Sequence, residues 1–336
     1  MMENIKSLIE EANEVYLNNF PKNVSFERAI FFSWYCSLGD CTFCYMSLNK
    51  EKQDPKKARR RFSSILAEAI ICNVMGWKIE FISGGYESYS REEIKFLLKT
   101  ISEIYGNKLW INIGTLSKSE LENLKEYVEG YAGTVETVNW DLRKIVCPSK
   151  KLKPILKTFQ HCSELNIPVA ITIIVGIGET IDDFPNLKKF IEEYNISRIT
   201  FYALNPHKGT PFKEPPTKEY VAQWIAKTRL AFPKIYIIAG AWLDKIDYYP
   251  LYVRAGANGI TKLPIIRKFA SNELKTLKKS IKQEERILNG FFDELPKIDI
   301  DKLVQELNCN TFSPELKTKI KIKLESYFSR MKSNLS

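Results

Sequence analysis

Short apolar, β-branched and aromatic runs alternate along the chain with longer segments whose apolar positions recur every three or four residues. The short runs predict β-strands at Ala29 to Trp34, Lys78 to Ser83, Leu109 to Ile113, Thr134 to Val138, Val169 to Val175, Arg198 to Ala203, Ile235 to Ile238 and Gly259 to Thr261. The intervening segments carry helix starts. Ser90 with Glu93 and Ser117 with Glu120 have capping-box spacing, and Pro215-Pro216-Thr217 precedes a helix through Tyr220 and Trp224. Strict β/α alternation over this length predicts an α/β fold, a parallel (β/α) barrel of the TIM type, complete or partly open. The loops after the strands then converge on one mouth, the end at which such barrels do their chemistry.

Three regions follow from this pattern: an N-terminal helix and lead-in over 1–28, the barrel over 29–264, and a Lys/Glu-rich helical extension over 265–336. At 336 residues and 44% hydrophobic composition the chain has enough apolar material for one large domain or two smaller ones. No apolar run approaches a bilayer crossing, and Met1 to Phe20 reads as an acidic amphipathic helix rather than a signal peptide, so the expected location is cytoplasmic, with no membrane partner.

The formal charge is +10, with basic residues concentrated in Lys50 to Arg61 and in the C-terminal helix. In that helix Leu316, Ile320, Leu324, Tyr327, Phe328 and Met331 recur at helical spacing, so its lysines read as the wet side of a packed helix. Both basic stretches are expected to be solvated faces first and docking sites for an acidic carrier second; no nucleic-acid motif accompanies them.

The chemistry lies in Cys36, Cys41 and Cys44, which share one polar loop directly after the first predicted strand. Three thiolates can each hold one iron of a cubane cluster and leave the fourth iron free. Zinc is the rival, which would make the chain a non-catalytic binding protein. A structural zinc site takes four protein ligands, however, and neither His161 nor His207 is close to this loop in sequence.

A three-cysteine loop after the first strand of an α/β barrel, with Phe43 just before the last cysteine, resembles the radical S-adenosylmethionine (SAM) superfamily. Ser83-Gly84-Gly85-Tyr86-Glu87 is similar to the family's glycine pair and acid near the methionine amino group, and Ile173 to Glu179 is similar to its glycine-bearing segment near the adenosine. Gly114 to Ser117, Val138 to Asp141, Asn205 to Pro211 and Ala255 to Asn258 resemble stretches of biotin synthase and its relatives. The resemblance implies a [4Fe-4S] cluster on the three cysteines and SAM as cofactors. It also implies hydrogen abstraction from a substrate by a 5′-deoxyadenosyl radical. SAM would meet Phe43, Tyr45, Gly84, Gly85 and Glu87, its ribose Glu136, Asn139 or Asp141, and its adenosine Gly176, Gly178 and Glu179. The electron is expected from an acidic donor such as ferredoxin or flavodoxin.

Two features depart from biotin synthase. The cysteine spacing is four then two, where the family has three then two, and the third and seventh strands lack the cysteine and arginine that hold a sulfur-donating cluster. Biotin formation is therefore disfavoured. Two relatives remain. One is archaeal-type lipoyl synthase, one component of a pair of such barrels, acting on a carrier-bound substrate; it is the preferred reading. The other is the enzyme of iron-guanylylpyridinol cofactor assembly, whose five-then-two spacing this chain lacks. Of the other cysteines, Cys72 and Cys162 read as helix core. Cys147, in a loop after the fourth strand, is a candidate substrate contact or auxiliary-cluster ligand, joined by Cys309 if the tail folds over the mouth. His207 is a candidate acid, base or carboxylate-orienting group.

Overall fold

The computed structural model describes residues 2–49, 51 and 54–335. Eight parallel strands close on themselves: β1 (Asn23–Phe31), β2 (Lys78–Ser83), β3 (Leu109–Asn112), β4 (Val128–Glu136), β5 (Val169–Val175), β6 (Ile196–Ala203), β7 (Tyr236–Gly240) and β8 (Gly259–Thr261). β1 bonds to both β2 and β8, so the barrel is complete. The predicted helix starts are present. Ser90 and Ser117 each form a full capping box, and Thr217 accepts the amide of Tyr220.

Three strands start earlier than the sequence pattern predicts, β6 by two residues and β1 and β4 by six each. β1 begins at Asn23 because Glu27 and Arg28, which read as a polar lead-in, are strand residues; Glu27 is buried and bonded to Arg198 at 2.5 Å. β4 begins at Val128 although Gly130 and Gly133 weaken the strand signal. A β-carbon on Gly130 would lie 2.4 Å from the Trp110 ring, and one on Gly133 would lie 2.5 Å from Phe159. These glycines make room for aromatic neighbours rather than for turns.

Beyond Pro264 the strand pattern was expected to stop, but a ninth strand, β9 (Ile287–Asn289), pairs with Asn23 to Ser25 of β1. It fills the edge of β1 below the point where β2 begins. Phe26, Trp77 and Phe292 pack edge to face beneath it, and the Trp77 indole donates to the Phe291 carbonyl at 3.0 Å. The tail therefore seals the floor of the barrel, opposite the mouth.

The C-terminal helix (Pro314–Lys332) buries Ile320, Leu324, Phe328 and Met331 and pairs its lysines with Glu315 and Asp301, as its amphipathic pattern predicts. The other basic stretch differs from its expected solvated face. Lys50 and Lys52 lie outside the described residues; Lys56 and Lys57 are exposed. Arg59, however, pairs with Glu93 and stacks on Tyr89, and Arg60 bonds Glu68 and the Phe31 carbonyl. These arginines fasten the segment to the barrel wall.

Candidate functional site

The cysteine loop leaves β1 between two clamps. On one side Trp34 donates to the Ala58 carbonyl and Arg60 to the Phe32 carbonyl. On the other the amide of Thr42 donates to the Val146 carbonyl at 3.0 Å, and that of Ser149 to the Asp40 carboxylate at 3.1 Å. Cys44 opens a short helix, Tyr45–Asn49. All three cysteines are free thiols at the strand C-terminal end, Cys41 buried and Cys36 and Cys44 half-buried. Cys41, Phe43 and Cys44 share an apolar cluster with Val146, Cys147 and Ile177, which brings the cysteine loop, the loop after β4 and the loop after β5 together.

Cys147 proves to be a direct neighbour of Cys41. The hydrogen bond from Cys147 holds Cys41 down at about 7, against burial, and drives Cys147 up. A thiolate is the form that binds metal. Lys150 adds positive charge. Burial alone would lower its pKa, but Glu136, Cys41 and Cys147 outweigh burial and keep the ammonium charged, 2.8 Å from Glu136.

Among the described residues no three His, Cys, Asp or Glu side chains are arranged to hold a single metal ion. A cubane sets a different demand, since each thiolate binds its own iron and the sulfurs stand farther apart than the ligands of one ion. Three free thiols on one loop supply the three donors; Cys41 is low in pKa, whereas burial raises that of Cys44.

The other predicted site residues divide. Gly84 and Gly85, expected to admit a ligand, also seat the cysteine loop and its lead-in. A β-carbon on Gly85 would stand 1.7 Å from the Tyr35 carbonyl oxygen, and one on Gly84 would stand 2.3 Å from the Phe32 ring. Glu87 is exposed, with left-handed φ of 56°, beside a cavity of about 760 Å³ that Gly85, Tyr86 and Gly114 also line. That volume suits a small-molecule ligand.

Asn139 caps the helix Trp140–Val146 and bonds Asp183. This cap turns Asp141 outward, where its side chain is 92% exposed and paired with Lys144. The Glu136 carboxylate takes Lys150 and Thr172. Glu179, expected near the adenosine, spends its carboxylate on the amides of Gly176 and Ile177, at 2.6 and 2.9 Å, and so holds the glycine turn in shape. Burial raises its pKa against those bonds. Gly176 and Gly178 have φ of 104° and 119°, a conformation glycine adopts freely.

His207 stands between the rings of Tyr45 and Trp242, each 5.8 Å away, and burial lowers its pKa. Cys309 is far from the mouth. It is exposed in a turn whose neighbours Asn308 and Phe312 pack on Asn73 and Ile104, at helix ends that feed the starts of β2 and β3.

The barrel interior holds polar groups that periodicity did not reveal. Glu80 is fully buried and accepts from Tyr202 and Thr261, both at 2.5 Å. Burial raises its pKa, with Lys262 opposing. Lys262 ends β8 beneath the mouth; burial lowers its pKa and Glu80 opposes. The one sequence signal was a lysine directly after a wholly buried strand, Gly259-Ile260-Thr261.

Comparison with known proteins identifies the family. Residues 30–191 match the Radical SAM superfamily, and residues 200–278 match the Biotin and Thiamin Synthesis associated domain. An uncharacterised protein of Methanocaldococcus jannaschii is 38% identical over 97% of this chain and 96% of its own length. Biotin synthase of Thermotoga petrophila is 29% identical over 66% of this chain and 76% of its own. Among solved structures, methylornithine synthase superposes with a TM-score of 0.71 at 20% identity, covering 86% of this chain and 90% of the other. The FeFe-hydrogenase maturase HydG from Carboxydothermus hydrogenoformans does so with a TM-score of 0.70 at 13% identity, over 99% and 86%. At such identities the structural likeness is one of fold. A three-cysteine loop at the mouth of a closed parallel barrel, together with these matches, makes the chain an enzyme of the radical SAM superfamily, in its biotin synthase-like branch, whose cofactors are a [4Fe-4S] cluster and SAM.

Proposed function

We propose that Cys36, Cys41 and Cys44 carry the cluster and that this mouth functionalises a C–H bond of a substrate in cofactor biosynthesis. When bound, the reduced cluster supplies one electron that splits SAM into methionine and a 5′-deoxyadenosyl radical, which takes hydrogen from the substrate. The chain's own residues prepare the place. Lys150 favours thiolate on Cys41, Glu179 fixes the turn of Gly176 and Gly178, and Phe43, Ile177 and Leu204 exclude water around the thiols. Gly85 lets the cysteine loop lie against the loop after β2, where Ser37 donates to the Tyr86 carbonyl. Glu87 supplies a carboxylate beside the cavity for the SAM ammonium group. The carrying observation is three free thiols on one clamped loop at the strand C-terminal ends.

Lipoyl synthesis remains the preferred finer reading, with one condition. Sulfur insertion draws on a second cluster, and Cys147 and Cys309 lie at opposite ends of the barrel. A lipoyl-type reaction therefore needs its second cluster from a partner subunit, as in a paired enzyme. Exposed Trp34, Tyr45 and Trp242, with Lys56 and Lys57 on the segment clamped to the cysteine loop, provide a basic and aromatic rim for an acidic electron donor. The iron-guanylylpyridinol reading gains no further residue. Among the described residues no helix is long and apolar enough to cross a membrane.

Anaerobic reconstitution tests the core reading. We expect about four irons per chain and reductant-dependent release of 5′-deoxyadenosine from SAM. Bound zinc with no SAM cleavage would overturn it in favour of the zinc-bearing module.

A further inference from the structure

Lys262 has a left-handed backbone, φ 72°, directly after β8. That conformation costs a residue with a β-carbon roughly 1–2 kcal/mol, and strain of this kind collects at functional sites. Its stem runs over Gly240 at the end of β7, where a β-carbon would stand 3.0 Å from the lysine Cγ and 2.6 Å from the Tyr202 ring. The absent side chain is what lets the lysine pass. The ammonium then lies over two aromatic rings, 4.6 Å from the centre of Tyr202 and 5.5 Å from that of Phe31.

Of the charges acting on it, Glu136 takes Lys150 and Arg28 takes Glu68, while Glu80 accepts from the hydroxyls of Tyr202 and Thr261 and faces Lys262 only across space; the Cys44 thiol is a further neighbour. Among the described residues Lys262 makes no ion pair and no hydrogen bond, and its strongest electrostatic neighbour is Glu80. A desolvated ammonium left in this state is costly, and an arriving anion relieves the cost.

We propose that Lys262 anchors a carboxylate of the substrate over the barrel centre, so that the enzyme acts on a carboxylate-bearing small molecule. One ammonium, whose neighbouring cation Arg28 is already held by Glu68, matches a single negative charge; phosphate sites gather several donors in forks or backbone nests. The assignment rests on reading the same mouth as the site of SAM cleavage, and SAM has a carboxylate of its own. The experiment must therefore separate the two carboxylates.

The probes are benzoate and its uncharged counterpart benzamide, applied to the full chain. Acetylation of Lys262 by a neutral N-hydroxysuccinimide ester is followed by peptide mass spectrometry, with exposed Lys57 as the internal reference. Benzoate should slow modification of Lys262 at least about threefold relative to Lys57, and benzamide should not. Equal effects of the two probes, or no effect of either, overturn the proposal. The measurement is then repeated on reconstituted protein saturated with SAM. Persistent protection by benzoate supports a substrate anchor. If SAM alone silences Lys262, or cancels the effect of benzoate, the lysine holds the SAM carboxylate and the proposal fails. Release of 5′-deoxyadenosine is read on the same sample, so protection by benzoate without SAM cleavage sinks the radical reading and leaves the anion site standing.

Discussion

Gly85 offers a sharp test of whether the cysteine loop is held in place by its neighbour. In Gly85→Ala the new β-carbon would lie 1.7 Å from the Tyr35 carbonyl oxygen, 2.5 Å from the carbonyl carbon and 2.7 Å from Cys36 Cα. All three are backbone atoms, so no side-chain rotation relieves the clash. Reaching even a 3.4 Å contact requires the two loops to part by about 1.7 Å. Overpacking of this kind costs about 1–3 kcal/mol, and misplacing a reacting group by about 1 Å costs about a hundredfold in rate. Cys36 is bonded to Tyr35 and moves with it.

The expected outcome for Gly85→Ala is a folded protein, less stable by about 1–3 kcal/mol, with depleted iron and about a hundredfold less reductive SAM cleavage. Gly106→Ala is the control. That glycine caps the helix Arg91–Tyr105 with φ of 73° and has open space around its Cα, so alanine costs about 1 kcal/mol of backbone strain and touches no loop of the mouth. Denaturant melts, iron and sulfide analysis and 5′-deoxyadenosine release are measured on both variants. Wild-type iron loading and turnover in Gly85→Ala, or equal losses in Gly106→Ala, would refute the reasoning.

Three further outcomes follow from the geometry. Cys41→Ala should abolish SAM cleavage, whereas Cys72→Ala, in the fully buried wall of the helix Phe62–Val74, should leave it largely intact; 5′-deoxyadenosine assays decide. Cys309→Ala should leave the iron content at about four per chain, because its turn packs at the floor end of the barrel; a loss of iron would put the tail at the mouth. Glu68 is buried between Arg28 and Arg60, both at 2.6 Å; burial raises its pKa, but the two guanidinium groups outweigh it and hold the carboxyl below the usual 4.5. Its stabilisation is therefore present above that value and lost as pH falls through the lowered one. Glu68→Gln should cost up to about 3 kcal/mol at neutral pH, and the gap to wild type should narrow below about pH 4.5 in denaturant titrations.

The alternation of short apolar runs and amphipathic segments was enough to read the closed barrel, because strand burial in such a fold is hydrophobic on both faces. The cysteine loop was legible for a different reason: its residue types are rare and their spacing local. What escaped the sequence has physical causes. β9 is three residues long and pairs with a strand 264 positions away, so nothing local marks it. Asp141 lies in a stretch resembling a ribose-binding segment, but the Asn139 cap starts a helix there and rotates it to solvent. Cys147 could be placed near the mouth but not against Cys41, since that contact depends on how two loops fold over one another.

The polar interior was the hardest part to read. Glu80 sits between apolar neighbours, where a single charge looks like an outward position, while Glu27 beside Arg28 and Arg198 beside Ser197 read as polar strand starts. Their burial becomes evident only when the partners are counted across the barrel: Glu27 with Arg198, and Glu80 with hydroxyls of β6 and β8. Interior charge held by hydrogen-bonded partners serves the barrel itself, whereas a cation without such a partner keeps its donors for something that arrives. Among the described residues Lys262 makes no hydrogen bond and no ion pair, facing Glu80 only across space, and its backbone is also strained. The pattern along the chain marks the three cysteines, but Lys262, the proposed anchor, emerges only from pairing residues that the fold brings together.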